Sequence, residues 1–282
     1  MLLSILSEIS LDALVVRMAA TTFVVVAVAW AVGVLGPLIG GTLAGFPAIL
    51  GPGFYFLIKQ APVLFVSQAA AYSLFSMCAV QLFLLAYIMA ARRKRIAISL
   101  GYAVATWLAS ALIFQLLPPQ PWLGITLYII LTLICLHASV RCASPVLAVA
   151  HRAGVGLLVV RGLLAGGLVG VVTTLSHWLG PNGSGVLLGF PIGLVVVAVT
   201  IHQTYGSANV IATLRSALIG TSSVAGFCAV LALLLPHLAP DIALVAALLA
   251  SVFITLALIL KGRLSRARRA AKRQRCSPQS RP

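Results

Sequence analysis

The side chains able to do chemistry in this sequence are few. Lys59 and Gln60 close one apolar run, and His202 and Gln203 close another, with Arg215 embedded in the apolar segment that follows. Lysine and arginine supply fixed positive charge and the amides supply hydrogen bonds, while His202 alone of these changes charge near neutral pH. Such a set is suited to holding an anion. The chain has only three acidic residues, Glu8, Asp12 and Asp241. It therefore lacks the carboxylate pairs of acid–base enzymes, the intramembrane carboxylate relays of proton- or sodium-coupled carriers, and a counter-charge for a cationic solute. No HExxH, GxSxG or Walker lysine motif is present, and the five cysteines (Cys78, Cys135, Cys142, Cys228, Cys276) form no CxxC or Cys/His cluster. The expectation is a protein that is not an enzyme and needs no cofactor or metal.

Both polar pairs follow the same motif. Leu35 to Pro47 reads LGPLIGGTLAGFP and Leu179 to Pro191 reads LGPNGSGVLLGFP, with eight of thirteen positions identical. Arg17 and Arg161 keep the same spacing upstream, so the sequence reads as an internal duplication that includes the helix leading into the motif. Gly45, Phe46 and Pro47 in the first copy, and Gly189, Phe190 and Pro191 in the second, combine a residue that permits unwinding with one that removes a backbone donor. The helices carrying them are expected to kink or break near Phe46 and Phe190. Irregular backbone at membrane depth survives only where protein or a water-filled cavity covers it. Two readings stay open: a paired substrate site, or glycines that let helices pack closely. For Lys59, Gln60, His202 and Gln203 the alternatives are symmetry-related ligand contacts or heads snorkelling at an interface. For Arg215 they are an anion-facing guanidinium or a snorkelling one.

The elements that position these residues are membrane helices. A chain that is 62% apolar and 8% charged, with mean hydropathy +1.15, is not an ordinary soluble domain. Its punctuation gives nine candidate spans, near 14–36, 43–59, 63–90, 96–117, 122–140, 154–179, 186–202, 209–235 and 241–260. Turns are expected at Pro118–Pro121, Gly180–Gly185 and Pro236–Pro240. The net charge of +16 is concentrated in Arg92–Arg95 and in nine Lys or Arg between Lys261 and Arg281. That clustering fits the positive-inside bias and attraction to anionic headgroups rather than nucleic acid. It places the N-terminus outside and the C-terminus in the cytoplasm, with Lys59 the one basic residue on the outer side.

Five spans separate Arg17 from Arg161, and an odd number inverts one copy relative to the other. The fold class is an all-α polytopic membrane protein with two inverted four-helix repeats and a linking helix. Its parts are a first repeat over 1–120, a linking helix over 121–143, a second repeat over 144–261 and a basic tail over 262–282, disordered beyond Ser265. Leu2–Val16 and Pro145–Val160 read as short interfacial helices.

Around Gly189, Phe190, Pro191, His202, Gly206, Leu214 and Arg215 the second copy resembles the GlpM family of small four-helix inner-membrane proteins. The first copy keeps Gly45, Phe46 and Pro47 of that pattern and has no counterpart of the arginine. The resemblance implies an inner-membrane protein, with this chain as the fused form of one that pairs antiparallel. The function expected is a transporter-like protein of the inner membrane that passes a small anionic or amphipathic solute or lipid headgroup. Its partners are then membrane lipids, with anionic headgroups near the basic clusters, and a small-molecule solute, with no nucleic acid. The alternative is a membrane scaffold or accessory subunit acting through its basic tail.

Overall fold

In a computed structural model of the chain, residues 11–35, 47–93, 95–142 and 154–276 are described, and they are all-α. The first motif up to Phe46, Glu8, Lys94, most of the expected interfacial helices and the side chain of Arg161 lie outside the described residues. In chain order the helices are α1 (Leu11–Leu35), α2 (Leu50–Ile58), α3 (Val63–Ala90), α4 (Ile96–Phe114), α5 (Pro121–Val140), α6 (Val155–Thr174), α7 (Ser176–Leu188), α8 (Ile192–Gly220), α9 (Ser222–Leu234) and α10 (Pro240–Cys276). Five apolar helical stretches are long enough to cross a membrane: Val63–Ala90, Ile96–Phe114, Pro121–Val140, Ser176–Leu234 and Pro240–Gly262. Proline opens α5 and α10 at a position where the missing N–H would have had no partner.

Helix α3 is the central post. Ser73, Phe75, Ser76, Gln81, Phe83 and Tyr87 on it have no solvent exposure. Helices α4, α5 and α10 turn large apolar side chains outward, among them Leu112, Ile130, Leu133, Leu249 and Phe253. A surface of that kind is stable against lipid and not against water.

Contacts along the helices fix their directions. Gly185 meets Ala69 and Tyr72, Gly189 meets Ser76, and Tyr87 reaches His202, so α7 and the first part of α8 run parallel to α3. The chain then returns: the Ser67 hydroxyl donates to Ala232 O (3.0 Å), and the Gln81 amide donates to Leu218 O (3.2 Å). Helix α6 packs antiparallel on α1, with Gly162, Gly166 and Gly170 set against Val26 and Thr22, Thr22 and Met18, and Met18 and Leu14 respectively. This is a small-residue seam that brings two backbones together, and Thr22 Oγ1 donates to Gly162 O across it (3.1 Å).

Several expected boundaries move. The expected turn at Gly180–Gly185 narrows to a sharp break at Gly180 (φ 67°), where the chain reverses: Val169 before it and Leu188 after it both lie against Gly53, and Ser184 Oγ reaches back to Ser176 O (3.5 Å). Pro181 follows it as the first residue of a new helical run, in which Gly185 packs closely on α3. Helix α6 stops at Thr174, not near residue 179. The return segment starts at Ser207 after a break at Gly206 (φ 79°), and α8 gives way to α9 at Thr221. Helix α10 continues to Cys276, through the residues expected to lose order from Ser265.

A Cβ on Gly185 would overlap the Ala69 carbonyl, whereas one on Gly101 would meet nothing within 4 Å. Gly185→Ala is expected to cost about 1–3 kcal/mol by forcing α7 off α3, and Gly101→Ala to cost nothing, when both are compared by unfolding in detergent.

Candidate functional site

The structure distributes the expected site residues over three levels. One level is the end of the bundle where α3 begins. Lys59 Nζ makes an ion pair there with Asp241 (2.7 Å to Oδ1, 3.0 Å to Oδ2) and lies 5.7 Å from the centre of the Tyr55 ring. Both partners are exposed, and the carboxylate bonded to the ammonium holds Lys59 above its ordinary value. Gln60 donates to Thr173 O (2.8 Å). Nearby, Arg17 Nη1 donates to Thr174 Oγ1 (3.3 Å). Lys59 and Gln60 therefore already have protein partners that tie α2 to α10 and α6.

The second level is the middle of α3. Here α7 ends at Leu188 and α8 begins at Ile192, so the expected break at Phe190 is present. Pro191 (φ −80°, ψ 50°) closes a tight turn in which Ile192 N–H donates to Phe190 O (2.9 Å). Phe190 N–H bonds Leu187 O (3.0 Å) instead of Val186 O. The Val186 carbonyl, thus deprived of its helical donor, accepts from Ser76 Oγ (3.0 Å), and Ser73 Oγ donates to Gly185 O (2.7 Å). Gly189 lies against Ser76, and Phe190 meets Trp107 edge-to-face with centroids 4.8 Å apart. The buried Trp107 Nε1–H has no acceptor. Gly45 and Phe46 lie outside the described residues. Pro47 is buried, and its carbonyl accepts from Gly51 N–H (2.8 Å).

The third level is the opposite end, where α3 finishes. Over its 28 residues this helix is about 42 Å long at 1.5 Å per residue, so His202 and Lys59 belong to different ends and form no common site. Arg92, Arg93 and Arg95 from the α3–α4 turn, with His202, Gly206 and Ser207 from α8, line a cavity of about 680 Å³. Tyr87 Oη lies 3.1 Å from His202 Nδ1 and also reaches Ala198 O (3.5 Å). Gln203 is exposed. Asn209 bridges the Gly206 break, its amide donating to Tyr205 O (2.8 Å). Arg215 stands apart, half-buried between α8 and α5, with Nε donating to Ser139 Oγ (3.3 Å).

Two groupings escape a sequence reading. The arginines of the α3–α4 turn signal topology by composition, and only the fold shows that α8 brings His202, Gly206 and Ser207 beside them. A buried polar node joins three elements: Gln81 Nε2 lies 2.8 Å from Tyr128 Oη and 3.0 Å from Thr221 Oγ1, and those two hydroxyls are 3.0 Å apart. Gln81 and Thr221 are recognisable as polar residues in apolar helices, but nothing in the spacing points to Tyr128.

With five apolar helical stretches long enough to cross a membrane and a lipid-suited exterior, the chain is a multi-pass membrane protein. No protein-family model, curated protein or solved structure matches the chain.

If the node couples α3, α5 and α9 through shared hydrogen bonds, Gln81→Leu and Tyr128→Phe will be non-additive. A double-mutant cycle on unfolding in detergent is expected to give a coupling of about 0.5–1.5 kcal/mol. Additive losses would show that the three groups are independent.

Proposed function

We propose that this chain is an inner-membrane carrier for a small anionic or amphipathic solute, built from two oppositely inserted copies of a four-helix unit. The observation that carries the reading is the pair of breaks that follow the Gly180 reversal, at Phe190–Pro191 and at Gly206. One break lies level with the middle of α3, beside the unpartnered Trp107 N–H, and the other opens on the arginine-lined cavity. Interrupted helices at mid-depth that lead to a polar opening are the architecture in which carriers hold solutes.

The inverted arrangement draws support from the packing. Helix α1 packs antiparallel on α6, its expected counterpart, and α3 packs antiparallel on the Ser207–Leu234 segment, its own. Equivalent helices of oppositely inserted copies would cross in this way. On this reading the chain is a fused form of a small protein that pairs antiparallel, in keeping with its resemblance to the GlpM family. Arg92, Arg93, Arg95 and Arg141 gather at one end and Asp12 and Asp241 at the other. The positive-inside bias makes the arginine end cytoplasmic and the N-terminus external. Lipids with anionic headgroups would border the arginine end.

A second reading draws on α10. Its continuation to Cys276 carries most of the basic tail on one helix, as a scaffold that recruits a partner or an anionic surface would. Exchange of labelled phosphate or a short-chain alkyl phosphate in proteoliposomes separates the two. A carrier exchanges solute above the level of protein-free vesicles and keeps that activity when the chain is ended after Leu260. Exchange indistinguishable from protein-free vesicles for both solutes overturns the carrier reading in favour of the scaffold.

A further inference from the structure

The cavity between the α3–α4 turn and the Gly206 break has a composition that membrane insertion alone does not require. Positive-inside bias asks only for basic residues in a loop. Here Arg92, Arg93 and Arg95, all exposed, border one open depression together with His202 and the interrupted backbone at Gly206–Ser207. Guanidinium groups present planar forks of donors that match phosphate oxygens two at a time. Among the described residues, the hydrogen-bond contact of Arg92 is from Nη1 to the weak acceptor Cys142 Sγ at 3.8 Å. Among the described residues no carboxylate is present at this end, since Asp12 and Asp241 are both at the other. The counter-charge for this cavity is therefore not supplied by the described chain.

The backbone adds a second observation. Gly206 adopts φ 79° and ψ 178°, a conformation nearly confined to glycine, yet a Cβ there would meet nothing within 4 Å. Packing does not demand the glycine. The conformation does, and it starts a new helical run at Ser207 whose amino-terminal end lines the cavity, where backbone N–H groups and the helix dipole favour an anion. Tyr87 holds His202 by Nδ1 and leaves Nε2 as the ring nitrogen available to a ligand.

We propose that this cavity is a binding site for a phosphate group, carried either by a small soluble ester or by a lipid headgroup. It names the solute chemistry of the carrier reading and rests on that reading for the ligand's onward route, but not for binding itself.

The test uses the full chain in nanodiscs of zwitterionic lipid. Equilibrium dialysis with phenyl phosphate measures the soluble source. Nanodiscs doped with phosphatidic acid, followed by mass spectrometry of retained lipid, measure the headgroup source. Arg93→Gln and Arg95→Gln lie on the exposed turn and leave the helix packing alone. Arg141→Gln removes the same charge at the same end but outside the cavity. Binding of either probe that weakens about tenfold or more in the cavity variants, with Arg141→Gln unchanged, supports the site, and the probe that binds identifies the source. Absence of binding by both probes overturns it, as does equal weakening by Arg141→Gln, which would mark a diffuse basic surface. Binding without solute exchange in proteoliposomes would defeat the carrier reading and leave the site standing. Exchange unaffected by the cavity variants would do the reverse.

Discussion

A backbone carbonyl that loses its helical donor inside a membrane has no water to turn to, and this structure depends on how that debt is met at Val186. Phe190 and Pro191 end helix α7 level with the middle of α3, which strands the Val186 oxygen. Ser76 supplies the missing donor from α3, and Ser73 adds a bond to Gly185 one residue earlier. Both serines reach because Gly185 and Gly189 let the two backbones touch. An unsatisfied group at this depth costs several kcal/mol, so the seam between α3 and α7 determines where the chain is allowed to break. The rest follows from that alignment: α8 continues alongside α3 until His202 meets Tyr87, and only then turns back at Gly206.

The two ends of the bundle are electrostatically unlike. Where α3 starts, Lys59 is matched by Asp241 and the polar groups of Arg17 and Gln60 are bonded to the end of α6. Where α3 finishes, arginines crowd a cavity with no carboxylate from the described residues beside them. Uncompensated positive charge gathered on one open surface raises the local concentration of anions. The asymmetry is a property of the fold as much as of composition, since Lys59 and Asp241 are 182 residues apart in sequence.

Much of this architecture is legible in the sequence. Val63–Ala90 is bounded by Pro62 on one side and the arginine turn on the other, and the expected and observed ends agree. The break near Phe190 is equally readable, because Pro191 brings no N–H donor and its ring clashes with the preceding turn. The turn expected at Gly180–Gly185 is present at Gly180 but shorter than expected, because Pro181 restarts the helix at once and Gly185 is already packed on α3. Gly185 and Gly189 of the second motif pack closely on α3, with the orphan Trp107 N–H beside them. Lys59 looks like a ligand contact only while Asp241 is out of sight. The arginine cavity is the converse case. Its residues are conspicuous, but their placement beside His202 and the Gly206 break depends on α8 running along α3, a relation no local pattern encodes.

The account stands on the two copies being inserted in opposite senses, and labelling of single cysteines tests this most directly. In a chain stripped of its native cysteines, Leu38→Cys and Asn182→Cys mark equivalent positions of the two motifs. Reaction of Asn182→Cys with an impermeant reagent from outside, and of Leu38→Cys only after the cytoplasmic face is opened, is the predicted result. Labelling of both positions from the same face would contradict it, since parallel copies cannot present the two motifs to opposite sides of one membrane.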